Sequence, residues 1–383
     1  MPIVVLAPDK FKGSLTASAV ASAMAAGLRR VWPDAEVRMR PMADGGDGTL
    51  DAILAGGGER RTHVVSGAEG TPRALPYGLI RDDGGEVAII EAASVVGITD
   101  ALGMHVPVER RTTRGMGELM RALLDAGVHR FMVGLGGSST NDGGAGLLAA
   151  LGMRLLDRDG QAIDPTPHGL AQIARVDATS MDARLAGAGI TVLSDVDNPL
   201  NGPRGATAVF GPQKGVREDA VERIDGVLAN FARIAERAVD RHVADVPGAG
   251  AAGGLGFALM LIGGRLQAGA EIVADLVGLD AALAGADWLI TGEGKSDAQT
   301  LAGKAPWTAA RRARDANVPA TLVAGAIDPE ALPELSRHFA GCFALPHGPV
   351  ALEVSIARAE ALLADRTEQM ARLWAAARTS YRP

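Results

Sequence analysis

The chain contains only five lysines beside thirty-three arginines, and all five lie in short glycine-rich segments. They are Lys10 and Lys12 in APDKFKG, Lys214 in FGPQKG, Lys295 in TGEGKSD and Lys304 in AGKAP. In so arginine-rich a chain, we expect the remaining lysines where a compact ammonium cannot be replaced by a planar guanidinium. Backbone N–H groups exposed by glycine, next to a point positive charge, suit a bound phosphate. The lysines therefore predict a phosphate-handling site.

The densest glycine segment, GLGGSSTNDGGAG, follows the predicted strand Phe131–Val133. Its glycines permit close backbone approach, its hydroxyl and amide side chains can contact anionic oxygens, and the next helix would direct its positive end at the ligand. The predicted phosphate- or substrate-binding residues are Gly136, Gly137, Ser138, Ser139, Thr140 and Asn141. The alternative is a turn that only permits tight helix–strand packing. The segment lacks the Walker pattern of a P-loop.

PMADGGDGT places Asp44 and Asp47 three residues apart, after a second predicted strand. Mg²⁺ prefers one or two carboxylates together with phosphate oxygens and water. We therefore predict that Asp44 binds metal and substrate, with Gly45 and Gly46 lying against the phosphate. Asp47 fits a cap of the next helix instead.

SDVDNPLNGP follows the apolar strand Ile190–Leu193 and brings two acids and an amide to the end of that strand. One carboxylate could take the proton of an attacking hydroxyl while the other helps to hold a metal. Asp195 adjoins the strand and is the preferred general base. Asp197 is the second catalytic candidate and a metal candidate, and Asn198 is a substrate-binding candidate.

TGEGKSDAQT again combines acids and a lysine with glycine after a strand, Trp288–Ile290. We expect Glu293, Lys295 and Asp297 to bind substrate or phosphate, and Asp297 also to bind metal. Phosphoryl transfer depends on positioning and charge compensation more than on covalent chemistry.

The lysines near the N-terminus fit such charge compensation. Lys12 is the catalytic candidate, because its ammonium could neutralise the transferred phosphoryl group or hold a substrate carboxylate. Lys10, Ser14 and Lys214 are further phosphate- or substrate-binding candidates.

Both ends of the chain show alternating strand and helix patterns. Five strand–loop–helix units, the first beginning at Ile3–Ala7 and the last at Phe343–Leu345, predict a doubly wound, Rossmann- or flavodoxin-like parallel sheet. The last unit closes with a predicted helix over about 354–378. The glycine- and aspartate-rich segments each follow a strand, where open α/β sheets bind their ligands.

The middle of the chain has a different pattern, with antiparallel strands first and helices after them. The predicted organisation is an α/β fold of two domains. Residues 1–63 and 280–383 form the Rossmann/flavodoxin-like domain, and residues 64–279 form an inserted mixed α/β domain, with the active site in the cleft between them.

Composition excludes several classes of function. A formal charge of −7 and only two tyrosines and four tryptophans argue against nucleic-acid binding. No apolar window is long enough for a bilayer, and the N-terminus reads as a strand rather than a signal peptide. Cys342 is the only cysteine, which fits a reducing cytoplasm. We therefore expect a soluble, cytoplasmic protein without membrane or nucleic-acid partners, either a monomer or a homodimer.

The chain resembles the type-1 glycerate kinase family, bacterial enzymes that phosphorylate glycerate with ATP. The motifs that carry the resemblance occur in the family's order from Pro8 to Pro306. They are APDKFKGSL, PMADGGDGT, GLGGSSTNDGGAG, LSDVDNPLNGPRGA, FGPQKG, PGAGAAGGLG and TGEGKSDAQTLAGKAP. Lys12 matches the family pattern, whereas Lys10 stands where the family often has Ser.

The resemblance implies a two-domain α/β kinase unrelated to P-loop kinases. It also implies ATP and Mg²⁺ as cofactors, D-glycerate as the acceptor, and a role in glyoxylate and aldarate catabolism. Members of this type are associated with transfer to the 2-hydroxyl, which gives 2-phospho-D-glycerate. The residues themselves do not distinguish this product from that of a glycerate 3-kinase.

Three other functions remain as alternatives. A strand running into Asp195-Val-Asp197 is similar to the nucleophile turn of haloacid-dehalogenase phosphatases, but Asn198 stands where Thr or Val is expected. GLGGSST is similar to the GLxSSA loop of the galactokinase–homoserine kinase superfamily, but the surrounding strand order differs. A non-catalytic metabolite sensor would leave the paired acids without a purpose.

Overall fold

The computed structural model describes residues 1–380, and its strands and helices are as follows. The strands are β1 (Ile3–Leu6), β2 (Glu36–Met39), β3 (Glu59–Ser66), β4 (Pro72–Asp82), β5 (Gly85–Glu91), β6 (Arg130–Gly134), β7 (Arg154–Leu156), β8 (Arg175–Asp177), β9 (Gly189–Leu193), β10 (Arg265–Gln267), β11 (Trp288–Ser296), β12 (Ala320–Ile327) and β13 (Gly341–Ala344). The helices are α1 (Ala17–Arg29), α2 (Thr49–Ala55), α3 (Ala92–Val96), α4 (Ala101–His105), α5 (Arg114–Asp125), α6 (Ala145–Ala150), α7 (Pro167–Leu170), α8 (Ala206–Phe210), α9 (Val221–Val239), α10 (Ala251–Leu261), α11 (Gly269–Leu276), α12 (Leu279–Leu283), α13 (Ala305–Asp315), α14 (Leu332–Leu335), α15 (Leu352–Ala357) and α16 (Ala359–Ser380).

The chain divides into two compact units. Unit 1 comprises Met1–Asp44, Asp51–Gly57 and the described residues from Ala270 onward. Unit 2 comprises Gly45–Leu50 and Gly58–Gly269. Among residues 1–380, no helix is both long and apolar enough to cross a bilayer.

Unit 1 is built on a five-stranded parallel sheet with the order β13-β12-β11-β1-β2. The strands come from both ends of the chain, which confirms the predicted α/β fold class. From β1 the chain adds β2 on one side of the sheet, and from β11 it adds β12 and then β13 on the other side. The order therefore reverses between β1 and β11, and at such a switch point doubly wound sheets bind ligands.

Helix α1 is held to unit 1 by capping and by close packing. The hydroxyl of Thr16 accepts a hydrogen bond from the backbone N–H of Ala19, as expected for an N-cap. Buried α1 side chains such as Val20 and Met24 join β-strand residues and α16 in one apolar core. Gly27 allows α1 to approach α16 closely, because an added Cβ would lie 2.2 Å from the carbonyl oxygen of Ala364.

Unit 2 is built on a six-stranded mixed sheet with the order β10-β9-β6-β5-β4-β3. Strands β3, β4 and β5 are antiparallel neighbours, and β5, β6, β9 and β10 run parallel. A core that includes Phe131, Phe231 and Phe257 packs this sheet against its helices. The antiparallel strands predicted for the middle of the chain are thus present.

Some predicted elements have different bounds. Strand β11 continues to Ser296, through the segment predicted as a loop, because residues up to Ser296 pair with β12. The predicted closing helix is two helices, α15 and α16, separated at Arg358. The first turn of α10 is not regular helix, since Ala252, Gly253 and Gly254 have φ values of 54°, 70° and 91°.

Candidate active site

The loop after β1 lies against β11 at the switch point of the unit 1 sheet. The backbone N–H of Asp9 donates to the carbonyl of Gly292 at 2.8 Å. A Cβ added at Gly294 would lie 3.1 Å from the backbone nitrogen of Lys12. The topology therefore positions the APDKFKG loop beside the TGEGKSD segment of β11, as expected at the ends of adjacent strands.

Asp9 is a candidate site residue that sequence reasoning missed. Burial raises the pKa of its carboxyl well above the ordinary value, and the charges of Asp44 and Glu293 raise that pKa further, whereas Lys10 opposes them. The N–H of Lys10 also donates to Asp9 Oδ1 at 2.7 Å. Strongly shifted carboxyls of this kind concentrate at functional sites. The signal in the sequence was a Pro-Asp pair directly after the first strand.

Glu293 is buried and held in place by two hydroxyls. Its Oε1 accepts hydrogen bonds from Ser296 Oγ at 2.9 Å and Thr300 Oγ1 at 2.6 Å. Burial raises the pKa of this carboxyl, while the two hydroxyls and Lys304 oppose the rise. Lys304 Nζ lies 3.9 Å from Glu293 Oε2 and 3.8 Å from Asp297 Oδ1. Lys304 thus lies between Glu293 and Asp297, the two acids of this segment that the sequence predicted as site residues.

The other predicted residues of unit 1 are more open. Asp297 caps the short 3₁₀ turn Ala298–Leu301, and the exposed Lys295 lies 4.0 Å from its carboxylate. Lys12 is exposed. The hydroxyl of Ser14 donates to the backbone carbonyl of Ile356 at 3.1 Å, so Ser14 has a structural role besides any contact with substrate.

The glycines predicted to approach a ligand also approach one another in unit 2. A Cβ added at Gly136 would lie 2.4 Å from the Cα of Gly46, and the N–H of Gly136 donates to the carbonyl of Gly45 at 3.2 Å. Gly45 has a φ of +88°, and an added Cβ would lie 2.8 Å from the carbonyl oxygen of Leu193. Backbone packing at the strand ends accounts for these glycines, and Gly137 remains exposed.

The polar half of the same loop is buried. The hydroxyl of Ser139 donates to the carbonyl of Val96 at 2.9 Å, and Asn141 Nδ2 donates to Thr207 Oγ1 at 3.0 Å. Within residues 1–380, Thr140 Oγ1 and Asn141 Oδ1 are buried without a hydrogen-bond partner. Most of these polar groups therefore fix the loop rather than face solvent.

Asp142 organises this loop and was not predicted as a site residue. Its carboxylate accepts hydrogen bonds from the N–H and the hydroxyl of Thr113, and from the N–H groups of Gly144 and Gly146. Burial raises the pKa of Asp142, and these hydrogen bonds oppose the rise. Its neighbours in the sequence gave no signal that four donors would converge on it.

Lys214 is a buried lysine with only 2% of its surface exposed. Its Nζ donates to Ser138 Oγ at 3.1 Å and to the carbonyl of Thr140 at 2.8 Å. Burial lowers the pKa of Lys214 to about 7, with Asp142 opposing the change and Arg111 adding to it. Because its ammonium donates to Ser138 Oγ, the hydroxyl proton of Ser138 must point in another direction.

Arg111 supports the same loop from another side. Its Nη1 donates to the carbonyls of Ser139 at 3.0 Å and Lys214 at 2.9 Å. Burial lowers the pKa of this guanidinium. Two buried cations thus hold three consecutive residues of the loop, and the sequence had indicated only one of them.

The acids after β9 already have partners in unit 2. Asp195 is exposed, and its Oδ1 accepts the N–H of Gly269, the first residue of α11, at 3.0 Å. Asp197 is exposed and forms an ion pair with Arg204 at 3.2 Å. Asn198 Nδ2 donates to the carbonyl of Arg204 at 2.7 Å. These contacts show how the turn is held and leave the predicted roles as predictions.

Glycine-rich loops, carboxylates and lysines at the carboxyl ends of parallel strands are the parts of a phosphoryl-transfer enzyme. The chain belongs to the glycerate kinase family, whose model matches residues 4–375. Glycerate kinases are phosphotransferases, and so is this protein.

The named relatives are similar over most of their length. The chain is 42% identical to the glycerate kinase of Bacillus subtilis strain 168, covering 91% of this chain and 92% of that protein. It is 40% identical to the glycerate 2-kinase of Escherichia coli K12, covering 85% of each. The crystal structure of a Salmonella typhimurium LT2 protein assigned as glycerate kinase 2 has a TM-score of 0.83 and 38% identity, covering 98% of this chain and 99% of that one.

Proposed function

We propose that the protein transfers the γ-phosphoryl group of ATP to the 2-hydroxyl of D-glycerate, giving 2-phospho-D-glycerate and ADP. The observation that carries the choice of hydroxyl is the similarity to the Escherichia coli relative named glycerate 2-kinase, at 40% identity. The alternative is transfer to the 3-hydroxyl.

Proton-coupled ³¹P NMR of the product separates the two outcomes. A phosphate on the secondary C2 carbon couples to one proton and gives a doublet, whereas a phosphate on the C3 methylene couples to two and gives a triplet. We expect the doublet. A triplet would establish the 3-kinase, and no glycerate-dependent ADP release would contradict the proposed function altogether.

Asp195 is the proposed general base for the attacking hydroxyl. It is exposed at the end of β9, and the N–H of Gly269 holds one of its oxygens in place. A base must lie within hydrogen-bond reach of the proton that it takes, and a fixed carboxylate provides that geometry. Asp197 stays a second catalytic candidate.

Lys12 is the proposed contact for the transferred phosphoryl group. Its exposed ammonium belongs to the loop beside β11, and no partner among residues 1–380 has to be displaced before it can bind an anion. The glycerate carboxylate and the other phosphates would then contact predicted residues that are exposed, such as Lys295 and Gly137. Solvent-accessible ammonium groups suit ligands that arrive and leave in every turnover.

Mg²⁺ is the proposed metal, with Asp44, Asp197 and Asp297 as candidate ligands. Within residues 1–380, no group of three or more His, Cys, Asp and Glu side chains is arranged to hold a metal by itself. One or two separate carboxylates are enough for Mg²⁺, which usually completes its coordination shell with phosphate oxygens and water. Asp44 also contributes to the raised pKa of Asp9, so it adds negative charge where a cation would be stabilised. When bound, the ion would neutralise charge on the ATP phosphates.

A further inference from the structure

A cavity of about 610 Å³ lies in unit 2. Its lining includes Arg130, Gly189 and Arg265, the first residues of β6, β9 and β10. The Gly134–Gly146 loop and Asp195 follow the carboxyl ends of β6 and β9. On β6 and β9 the cavity is therefore at the opposite end of the strands from these residues, whereas on the short β10 it extends to the last residue, Gln267.

The floor of the cavity is one face of the sheet. Met132, Thr191 and Arg265 are in register across β6, β9 and β10, so their side chains point to the same side. Arg130 lies two residues before Met132 in β6, and Gln267 lies two residues after Arg265 in β10, so both side chains share that face. The alternating residues between them, such as Phe131 and Ile190, are buried in the core on the other side.

The charged side chains that line the cavity are all positive. They are Arg130, Arg241 and Arg265, and no Asp or Glu among residues 1–380 lines it. The chain as a whole carries a formal charge of −7, so the charge of this lining is opposite in sign to the net charge of the chain. A pocket lined by one sign of charge attracts ligands of the opposite sign.

The three arginines differ in whether their guanidinium groups already have hydrogen-bond or ion-pair partners within the protein. Arg130 is paired with Asp82. Arg241 Nη1 donates to the carbonyl of Met260 at 2.9 Å and has no carboxylate partner in the described chain. The guanidinium of Arg265 forms no hydrogen bond or ion pair with any residue of 1–380, and Arg265 is exposed. Two of the three cations are thus available to an external anion.

We propose that this cavity binds a small metabolite carrying two or more negative charges, as phosphate or carboxylate groups. Arg241 and Arg265 would bind its anionic groups, since guanidinium groups pair with both kinds of oxyanion through two parallel hydrogen bonds. The side chains of Thr191 and Gln267 would donate to the remaining oxygens. A volume of about 610 Å³ is in the range of small-molecule sites.

The test is calorimetric titration of the intact protein with pyrophosphate and, separately, with citrate. We expect at least one probe to bind the wild type, and the double variant Arg241→Gln/Arg265→Gln to bind it at least about tenfold more weakly, because charged hydrogen bonds are lost. Arg237→Gln is the matched control, since Arg237 is exposed in the last turn of α9, shortly before Arg241, and does not line the cavity. Preference for one probe identifies phosphate or carboxylate as the better ligand.

Pyrophosphate could also occupy the ATP site, so kinase kinetics are measured on the same variants. We expect kcat and KM for ATP and glycerate to be unchanged in the double variant, because neither arginine belongs to the proposed active site. Equal affinity of both probes for the wild type and the double variant would overturn the proposal, as would no binding of either probe to the wild type. Should the double variant fold poorly, the single variant Arg265→Gln serves, since its side chain has no partner to lose.

Discussion

At the scale of single residues, the structure separates charged groups that are exposed from those that are buried among protein atoms. Lys12, Lys295 and Asp195 are exposed, whereas Lys214 and Glu293 are buried and hydrogen-bonded. The sequence could indicate the segments, because lysine, aspartate and glycine are concentrated there. It could not indicate burial, since that depends on what other segments pack against each side chain.

Replacing Asp195 with Asn tests the proposed base. Asparagine can still accept the N–H of Gly269 through its oxygen, so the fold should be retained while the proton acceptor is lost. We expect turnover to fall about 10²- to 10⁴-fold, with KM for ATP nearly unchanged, in steady-state assays.

Asp157→Asn is the matched control for that experiment. Asp157 likewise accepts backbone N–H groups, from Asp159 and Gln161, in a turn outside the candidate site, and its variant should keep full activity. Wild-type turnover in Asp195→Asn would exclude Asp195 as the base. If Asp9→Asn alone abolished turnover, the carboxyl with the raised pKa would be the better candidate.

Lys214 predicts a pH dependence of stability. Its pKa is about 7 in the folded protein and near 10.5 in the unfolded chain, so between these values the unfolded state binds more protons. Stability must therefore rise with pH in this window, and the burial cost is largest below pH 7. The contribution is about 1.4 kcal/mol per pH unit.

The measurement compares the wild type with Lys214→Met in urea unfolding at pH 7 and pH 9. Methionine at position 214 does not titrate. We therefore expect the wild type to gain up to about 3 kcal/mol of stability relative to the variant over these two pH units. A difference between the two proteins that does not change with pH would show that burial does not lower the pKa of Lys214. Lys10→Met, at a half-buried lysine, is the comparison variant.

At the scale of secondary-structure elements, the sequence pattern predicted which strands and helices exist better than it predicted where they end. The strands around Trp288 and Thr321 were predicted, but β11 and β12 extend further because Lys295 and Ser296 pair with Ala326 and Ile327. Glycine and charge made that segment resemble a loop. Hydrogen bonding to a neighbouring strand overrides such local preferences, and a single sequence does not show the neighbour.

Gly27 predicts a strong effect of one methyl group on the packing of α1. An added Cβ would lie 2.2 Å from the carbonyl oxygen of Ala364, a backbone atom that cannot rotate away. The helix preference for Ala over Gly is worth up to about 1 kcal/mol, and overpacking costs about 1–3 kcal/mol. We expect Gly27→Ala to lower the free energy of unfolding by about 1–2 kcal/mol in thermal or urea unfolding.

Gly226→Ala is the matched control. Gly226 lies inside α9, and an added Cβ would meet nothing within 4 Å. There the helix preference acts alone, so this variant should be more stable by up to about 1 kcal/mol. If both variants moved stability in the same direction, the contact between α1 and α16 would not be the cause.

At the scale of the whole molecule, the sequence predicted an α/β fold with a parallel sheet formed by both chain ends, and the structure confirms this fold class. The strand order β13-β12-β11-β1-β2 could not be read from the sequence, because it depends on which strand ends meet. The same applies to Asp9, whose pKa is raised further by Asp44 and by Glu293 of β11. A cleft between two domains stays a prediction.

The two units have separate apolar cores, one including Val4, Met24 and Leu363 and the other including Phe131 and Phe257. A destabilised core opens more often, and native-state hydrogen exchange reports such opening segment by segment. In Gly27→Ala we therefore expect faster exchange in β1, β11 and β12, and wild-type protection in β5, β6 and β9. Lys214→Met should change protection in the second set only. Faster exchange in all six strands of Gly27→Ala would mean that the chain opens as one cooperative unit, in which a defect in either core is felt by both.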